Sequence, residues 1–78
     1  MNPTVVSVKP EKDCILTLLF SNGEVRRFDV KPYMDKGIFR DLKDVALFNT
    51  VQPDGLSIEW ANEAALSPDT IYENSERV

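Results

Sequence analysis

The chain has 78 residues, a net charge of −4, one cysteine and no histidine. A chain of this size builds one core, which rarely contributes more than about 3–5 kcal/mol without a disulfide, a metal or a partner chain. The lone Cys14 excludes an internal disulfide, no apolar run reaches the roughly 18 residues that span a bilayer, and Met1-Asn2-Pro3 lacks the features of a secretion signal. We therefore expect a single domain over residues 1–78, a cytoplasmic location and a tendency to self-associate.

The charges are unevenly distributed along the chain. Residues 1–40 contain seven basic and five acidic side chains, whereas residues 41–78 contain two basic and eight acidic ones. The acidic balance argues against nucleic-acid binding, because phosphate contacts require a surplus of Lys and Arg. The asymmetry is typical of an ordinary solvated surface, and its alternative interpretation is an acidic face for a basic partner.

The first half of the sequence has the pattern of a β-sheet. Val6 and Val8 alternate with polar residues, which predicts a half-buried strand, and the apolar run at 14–20 predicts a second strand. Ser21-Asn22-Gly23 then indicates a three-residue loop with Gly23 in the left-handed conformation. An antiparallel hairpin over about residues 14–30 follows.

The loop length decides the register of this hairpin. Three loop residues pair Leu16 with Phe28 and Cys14 with Val30, so that apolar side chains share the core face, whereas a two-residue loop would mix apolar and charged ones. We expect Arg26 to lie at the rim with its guanidinium in water. The opposite face is half apolar and is either covered by another element or open to a second chain. Its candidate interface residues are Ile15, Leu19 and Val25.

Short helices are predicted around the strands. Pro32 suits the first position of a helical turn, and Asp44 is a candidate N-cap for a second short segment. Ser67 followed by Pro68 predicts a short C-terminal helix from about residue 68. Residues 75–78 are expected to fray.

A second hairpin is predicted over about residues 48–60. Pro53-Asp54-Gly55 forms the turn, because Pro presets its first position and Gly tolerates the left-handed one. The alternation that follows indicates three inward side chains, Leu56, Ile58 and Trp60. Together the elements predict a two-layer α+β fold, made of two antiparallel hairpins and short helices.

Trp60 and Asn62 have two interpretations each. Indoles are enriched at interfaces as well as in small cores, and the alternation favours the core for Trp60. Asn62 could hydrogen-bond a ligand, although shaping the turn is the simpler role. Both are retained as candidate interface residues.

The sequence offers little for catalysis. Without histidine there is no Ser-His-Asp triad, no Cys-His pair and no histidine metal site. Cys14 lies in an apolar run and is interpreted as a buried small hydrophobe. Asp41 and Asp44 supply fewer oxygens than calcium prefers, which leaves capping as their role. We expect no enzymatic activity, no cofactor and no metal.

The order of turns and core residues resembles a known family, domain of unknown function 2442, which consists of small bacterial proteins. The resemblance covers nearly the whole chain and implies a fold more than an activity. In that family the segment after the tryptophan usually runs Asn or Asp, Gly, any residue, Asp, whereas here Glu63 and Ala65 occupy the Gly and Asp places. The residues that carry the resemblance are Leu16 to Glu24, Phe28-Asp29-Val30, Phe39, Leu42-Lys43-Asp44, Phe48, Trp60-Ala61-Asn62 and Leu66 to Tyr72.

The resemblance also implies partners, because members often sit beside a second small protein in toxin-antitoxin-like gene pairs. We therefore expect a non-catalytic protein-interaction module, the antitoxin-like or regulatory partner of a small protein encoded nearby. The alternative is a homodimeric domain that binds a small ligand. Neither a membrane nor a nucleic acid is expected as a partner.

Overall fold

The computed structural model describes residues 3–78 as two antiparallel sheets packed around one hydrophobic core, which confirms the α+β prediction. The described residues do not include Met1 and Asn2. Part of the expectation about a secretion signal rests on these two residues. The first sheet has the order β1-β2-β3-β7, with β1 at Val5–Pro10, β2 at Ile15–Phe20, β3 at Val25–Asp29 and β7 at Glu76–Arg77. The second has the order β4-β5-β6, with β4 at Gln52–Asp54, β5 at Ser57–Glu59 and β6 at Ala65–Leu66.

Short helices connect the strands, and two of them begin at the predicted caps. The side chain of Asp44 accepts a hydrogen bond from the Ala46 N–H (3.0 Å), and that of Ser67 accepts one from the Thr70 N–H (3.2 Å). These caps satisfy backbone donors that a helix start leaves free. The α-helices are α1 at Val45–Phe48 and α2 at Pro68–Asn74, and the 3-10 helices are Lys12–Cys14, Lys31–Tyr33 and Gly37–Lys43.

The first hairpin has the predicted loop and register. Gly23 has a φ of +86°, the left-handed value that glycine tolerates best. The Phe20 N–H donates to the Glu24 carbonyl (2.9 Å), which closes a loop of three residues. Leu16 consequently lies opposite Phe28, and both side chains are buried.

The second hairpin has a different register from the one predicted. Pro53 pairs with Ile58, so that the loop consists of Gly55 and Leu56 rather than Pro53-Asp54-Gly55. Gly55 has a φ of +65° and begins the loop instead of ending it. Leu56 therefore lies in the loop and is 62% exposed, and its predicted place in the core is wrong. Ile58 and Trp60 are buried as predicted.

Two further differences lie at the chain ends. The register of β1 shifts between Val5 and Ser7, and this bulge turns Val5 into the core and leaves Val6 exposed. Residues 75–78 do not fray. Glu76 and Arg77 pair with β3, and the Val78 N–H donates to the Val25 carbonyl (3.0 Å), which satisfies edge groups of β3 that would otherwise lack partners.

The core lies between the inner face of the four-stranded sheet and the remaining elements. Among residues 3–78, no helix is long and apolar enough to cross a membrane. The completely buried large side chains are spread from β2 to α2: Leu16, Leu18, Phe20, Phe28, Val30, Leu42, Ile58, Trp60 and Ile71.

Candidate interaction surface

The outer face of the four-stranded sheet is uncovered. The second sheet and the helices pack against the inner face, and the outward side chains of β1, β2, β3 and β7 are exposed or half-buried. We call this surface the open face. Its members are Ser7, Lys9, Ile15, Thr17, Leu19, Val25, Arg27, Asp29, Glu76 and Val78.

One row across the open face is mainly apolar. Leu19 lies opposite Ser7 on one side and Val25 on the other. Leu19 is 36% exposed and Val25 is 41% exposed, while Val78, bonded through its N–H to Val25, is 72% exposed. The structure thus brings two of the predicted interface residues together at one end of the face and adds a third apolar residue from the C-terminus.

The next row is polar and charged. Thr17 lies between Lys9 and Arg27, and Arg27 lies opposite Glu76. Of the four arginine side chains, that of Arg27 alone makes no ion pair or hydrogen bond to the part of the chain that the structure describes. Its guanidinium is therefore available to a ligand or partner.

The third row contains Ile15 opposite Asp29 and opens into a shallow groove. The groove has a volume of about 650 Å³. Ile15, the remaining predicted residue of this face, is half-buried and lines the groove. The other lining side chains are charged or polar: Glu11, Lys12, Arg27, Asp29, Asn74 and Glu76.

A polar cluster around Glu24 ties the C-terminal segment to the first hairpin. One carboxylate oxygen of Glu24 pairs with Arg26 (3.0 Å) and Arg77 (3.3 Å), and the other accepts a hydrogen bond from the Tyr72 hydroxyl (2.6 Å). These bonds stabilise the charged form. The Tyr72 hydroxyl contributes most, followed by the Asn22 amide and Arg26, and together they lower the pKa of Glu24 to about 2.

Arg26 is part of this cluster and is not solvated as expected. Its side chain is only 15% exposed, its guanidinium lies 4.1 Å from the centre of the Tyr72 ring, and it donates to the Ser75 carbonyl (3.0 Å). Arg26 thereby caps the C-terminal end of α2, where a positive charge is favourable. Sequence reasoning missed the cluster because its C-terminal members lie about 50 residues from Glu24 and Arg26, and no local spacing connects the two groups.

Trp60 and Asn62 lie away from the open face. Trp60 is 2% exposed, and its indole N–H donates to the Phe48 carbonyl (3.1 Å), so its core interpretation is confirmed. Asn62 accepts a hydrogen bond from the Ala64 N–H (3.1 Å) and donates to the Ile38 carbonyl (3.3 Å). It shapes the turn after β5, as its simpler interpretation predicted.

Cys14 does not lie within β2 as predicted. It ends the 3-10 helix that precedes the strand, has a φ of +62° and is half-buried rather than fully buried. Its carbonyl accepts from the Val30 N–H (3.0 Å), which extends the pairing beyond the strand. Among residues 3–78, no three His, Cys, Asp or Glu side chains are grouped so that they could hold a metal ion.

Comparisons with known proteins agree with the resemblance seen in the sequence. A search of curated proteins found no match, and a search of solved structures found none either. A family model described as "Protein of unknown function (DUF2442)" matches residues 5–77, which is almost the entire chain. The chain therefore belongs to the DUF2442 family.

Proposed function

We propose that this chain is a non-catalytic protein-interaction module that binds its partner through the open face. The observation that carries the proposal is the exposed apolar row of Leu19, Val25 and Val78 on a sheet that is otherwise well packed. Antiparallel sheets commonly leave one face in water, but such a face is then usually polar. Adjacent exposed apolar side chains with a polar surround are typical of interaction sites.

The partner in this proposal is a small protein encoded beside the chain, to which the chain would act as an antitoxin-like or regulatory subunit. The support is the gene arrangement that the family resemblance implies, together with the cytoplasmic location expected from the single cysteine. The unpaired Arg27 beside the apolar row would provide orientation, because a guanidinium can bind a carboxylate through two hydrogen bonds.

Co-expression with the product of the adjacent gene tests the proposal. We expect the two proteins to purify together, and Leu19→Glu to abolish this by introducing an unpaired charge into the contact. Leu56→Glu is the matched control, since Leu56 is even more exposed but lies in the β4–β5 loop, outside the open face. Equal loss in both variants, or no loss in a folded Leu19→Glu variant, would refute the role of the open face.

The groove supports a second candidate, a homodimeric domain that binds a small ligand. Its volume lies within the range of about 300–1,000 Å³ that is usual for ligand sites, and the free guanidinium of Arg27 favours a carboxylate group. A thermal-shift screen with small carboxylic acids tests this candidate. A compound that stabilises the wild-type chain but not Arg27→Gln would support it, and a screen without any such compound would argue against it.

A further inference from the structure

We infer that the open face also binds a second copy of this chain, with the two sheets face to face and a two-fold axis parallel to the strands between them. This inference rests on the proposed function, because it uses the same surface. It goes further in adding a second copy of the chain, which competes with the neighbouring protein for the open face, and in giving the arrangement of the two copies.

The axis determines which strands meet. A two-fold axis parallel to the strands keeps each row of the open face over the same row of the partner and reverses the order of the strands. Strand β2 then lies over the partner's β3, and β1 lies over the partner's β7. The usual spacing of packed sheets, about 10 Å, allows side chains of the two faces to interdigitate.

Two of the resulting contacts are complementary. Leu19 meets the partner's Val25, so that apolar row covers apolar row. Lys9, at the β1 end of the charged row, meets the partner's Glu76 at the β7 end. By symmetry each of these contacts occurs twice.

The other axis within the plane of the interface gives an unfavourable arrangement. An axis perpendicular to the strands keeps each strand over its own copy and reverses the rows. Arg27 would then meet the partner's Arg27, and Lys9 the partner's Lys9. Like charges across an interface oppose binding, which favours the axis parallel to the strands.

The charge of the open face also favours a second copy. The face carries Lys9 and Arg27 against Asp29 and Glu76 and is neutral, although the whole chain has a net charge of −4. Two copies that meet through this surface are therefore not repelled by a net charge of the face. Four strands about 4.8 Å apart and at most about 20 Å long give a footprint of at most about 400 Å² per copy, or about 800 Å² in total. This is below the roughly 1,000 Å² of a stable interface and predicts a weak, transient dimer.

Charge reversal at the two ends of the charged row tests the arrangement. Lys9→Glu places a carboxylate against the partner's Glu76, and Glu76→Lys places an ammonium group against the partner's Lys9, so each variant should dimerise on the order of tenfold more weakly than wild type. The decisive sample is an equimolar mixture of the two variants. Lys9→Glu contributes acidic groups at both ends of its row and Glu76→Lys contributes basic groups at both ends, so every end contact in the heterodimer joins unlike charges.

The mixture should therefore form heterodimers, and two further variants control for the change in net charge. These controls are Lys36→Glu and Glu63→Lys, which make the same charge changes at exposed positions away from the open face. Each control should dimerise as wild type does, because neither position lies in the proposed contact.

Light scattering and sedimentation velocity at high micromolar concentration, with circular dichroism as the check on folding, give the readout. The inference predicts a wild-type dimer, two weakened single variants, a restored mixture and unchanged controls. A monomeric wild-type chain, or a mixture no more associated than its components, would overturn it. A monomer that still binds the neighbouring protein through Leu19 would overturn only the dimer, whereas a dimer that never binds that protein would overturn only the proposed partner.

Discussion

Glu63 offers a test of the turn that follows β5, because it holds the left-handed conformation without being glycine. Its φ is +71°, its N–H donates to the Trp60 carbonyl (3.0 Å), and its side chain is exposed. A left-handed L-residue is less favourable than glycine by about 1–2 kcal/mol, and the larger entropy of an unfolded glycine offsets part of that difference. Glu63→Gly should therefore stabilise the protein by about 1 kcal/mol.

Thermal unfolding measures this effect, and Glu63→Ala provides the control. Alanine removes the same side chain but keeps the backbone strain, so its stability should be close to that of wild type. For a domain of this size, 1 kcal/mol corresponds to a Tm shift of about 4–8 °C. If the glycine variant melted at or below the temperature of the alanine variant, the strain assigned to Glu63 would be refuted.

Other predictions concern the first hairpin, the polar cluster and the core. Gly23→Val should lower the free energy of unfolding by about 1–2 kcal/mol, and Gly23→Asn should lower it less. The effect is confined to backbone strain, because an added Cβ meets no atom within 4 Å. Equal Tm values for wild type and Gly23→Val would contradict this. The pKa of Glu24 is lower in the folded state than in the unfolded one, so its contribution is complete above about pH 4.5 and is lost as the pH falls toward 2. In acid unfolding titrations, Tyr72→Phe should lose less stability than wild type as the pH falls, because the hydroxyl no longer stabilises the charged Glu24. A pH profile identical to that of wild type would show that the hydroxyl does not hold the carboxylate. Trp60→Phe should lower the free energy of unfolding in urea by about 1–3 kcal/mol, because the core loses volume and the hydrogen bond to the Phe48 carbonyl. An unchanged urea midpoint would contradict the core role of the indole.

The sequence predicted best where local chemistry decides the structure. The three-residue loop ending at Gly23 and the caps Asp44 and Ser67 each depend on residues within a few positions, and all three are confirmed. The predicted register of the second hairpin is wrong because Pro53-Asp54-Gly55 and Gly55-Leu56 are both acceptable turns. Only the packing of β5 against its neighbours decides between them.

Long-range contacts were the features that sequence reasoning could not supply. Strand β7 forms because β3 has a free edge and because Arg26 and Glu24 bind the C-terminal segment, and both conditions arise only after folding. For the candidate site, the hairpin register correctly put Ile15, Leu19 and Val25 on one face. The addition of Val78 and Glu76 to that face required the strand that the sequence did not predict.

The most direct test of the open face is an NMR map of where the protein is contacted. Amide spectra of the labelled chain would be recorded at increasing concentration and again with the product of the adjacent gene. We expect the shifts to cluster at Leu19, Val25, Arg27 and their neighbours on the open face, with Leu56 unchanged. Shifts confined to α2 and the β4–β5 hairpin, or unchanged spectra in both series, would contradict the account.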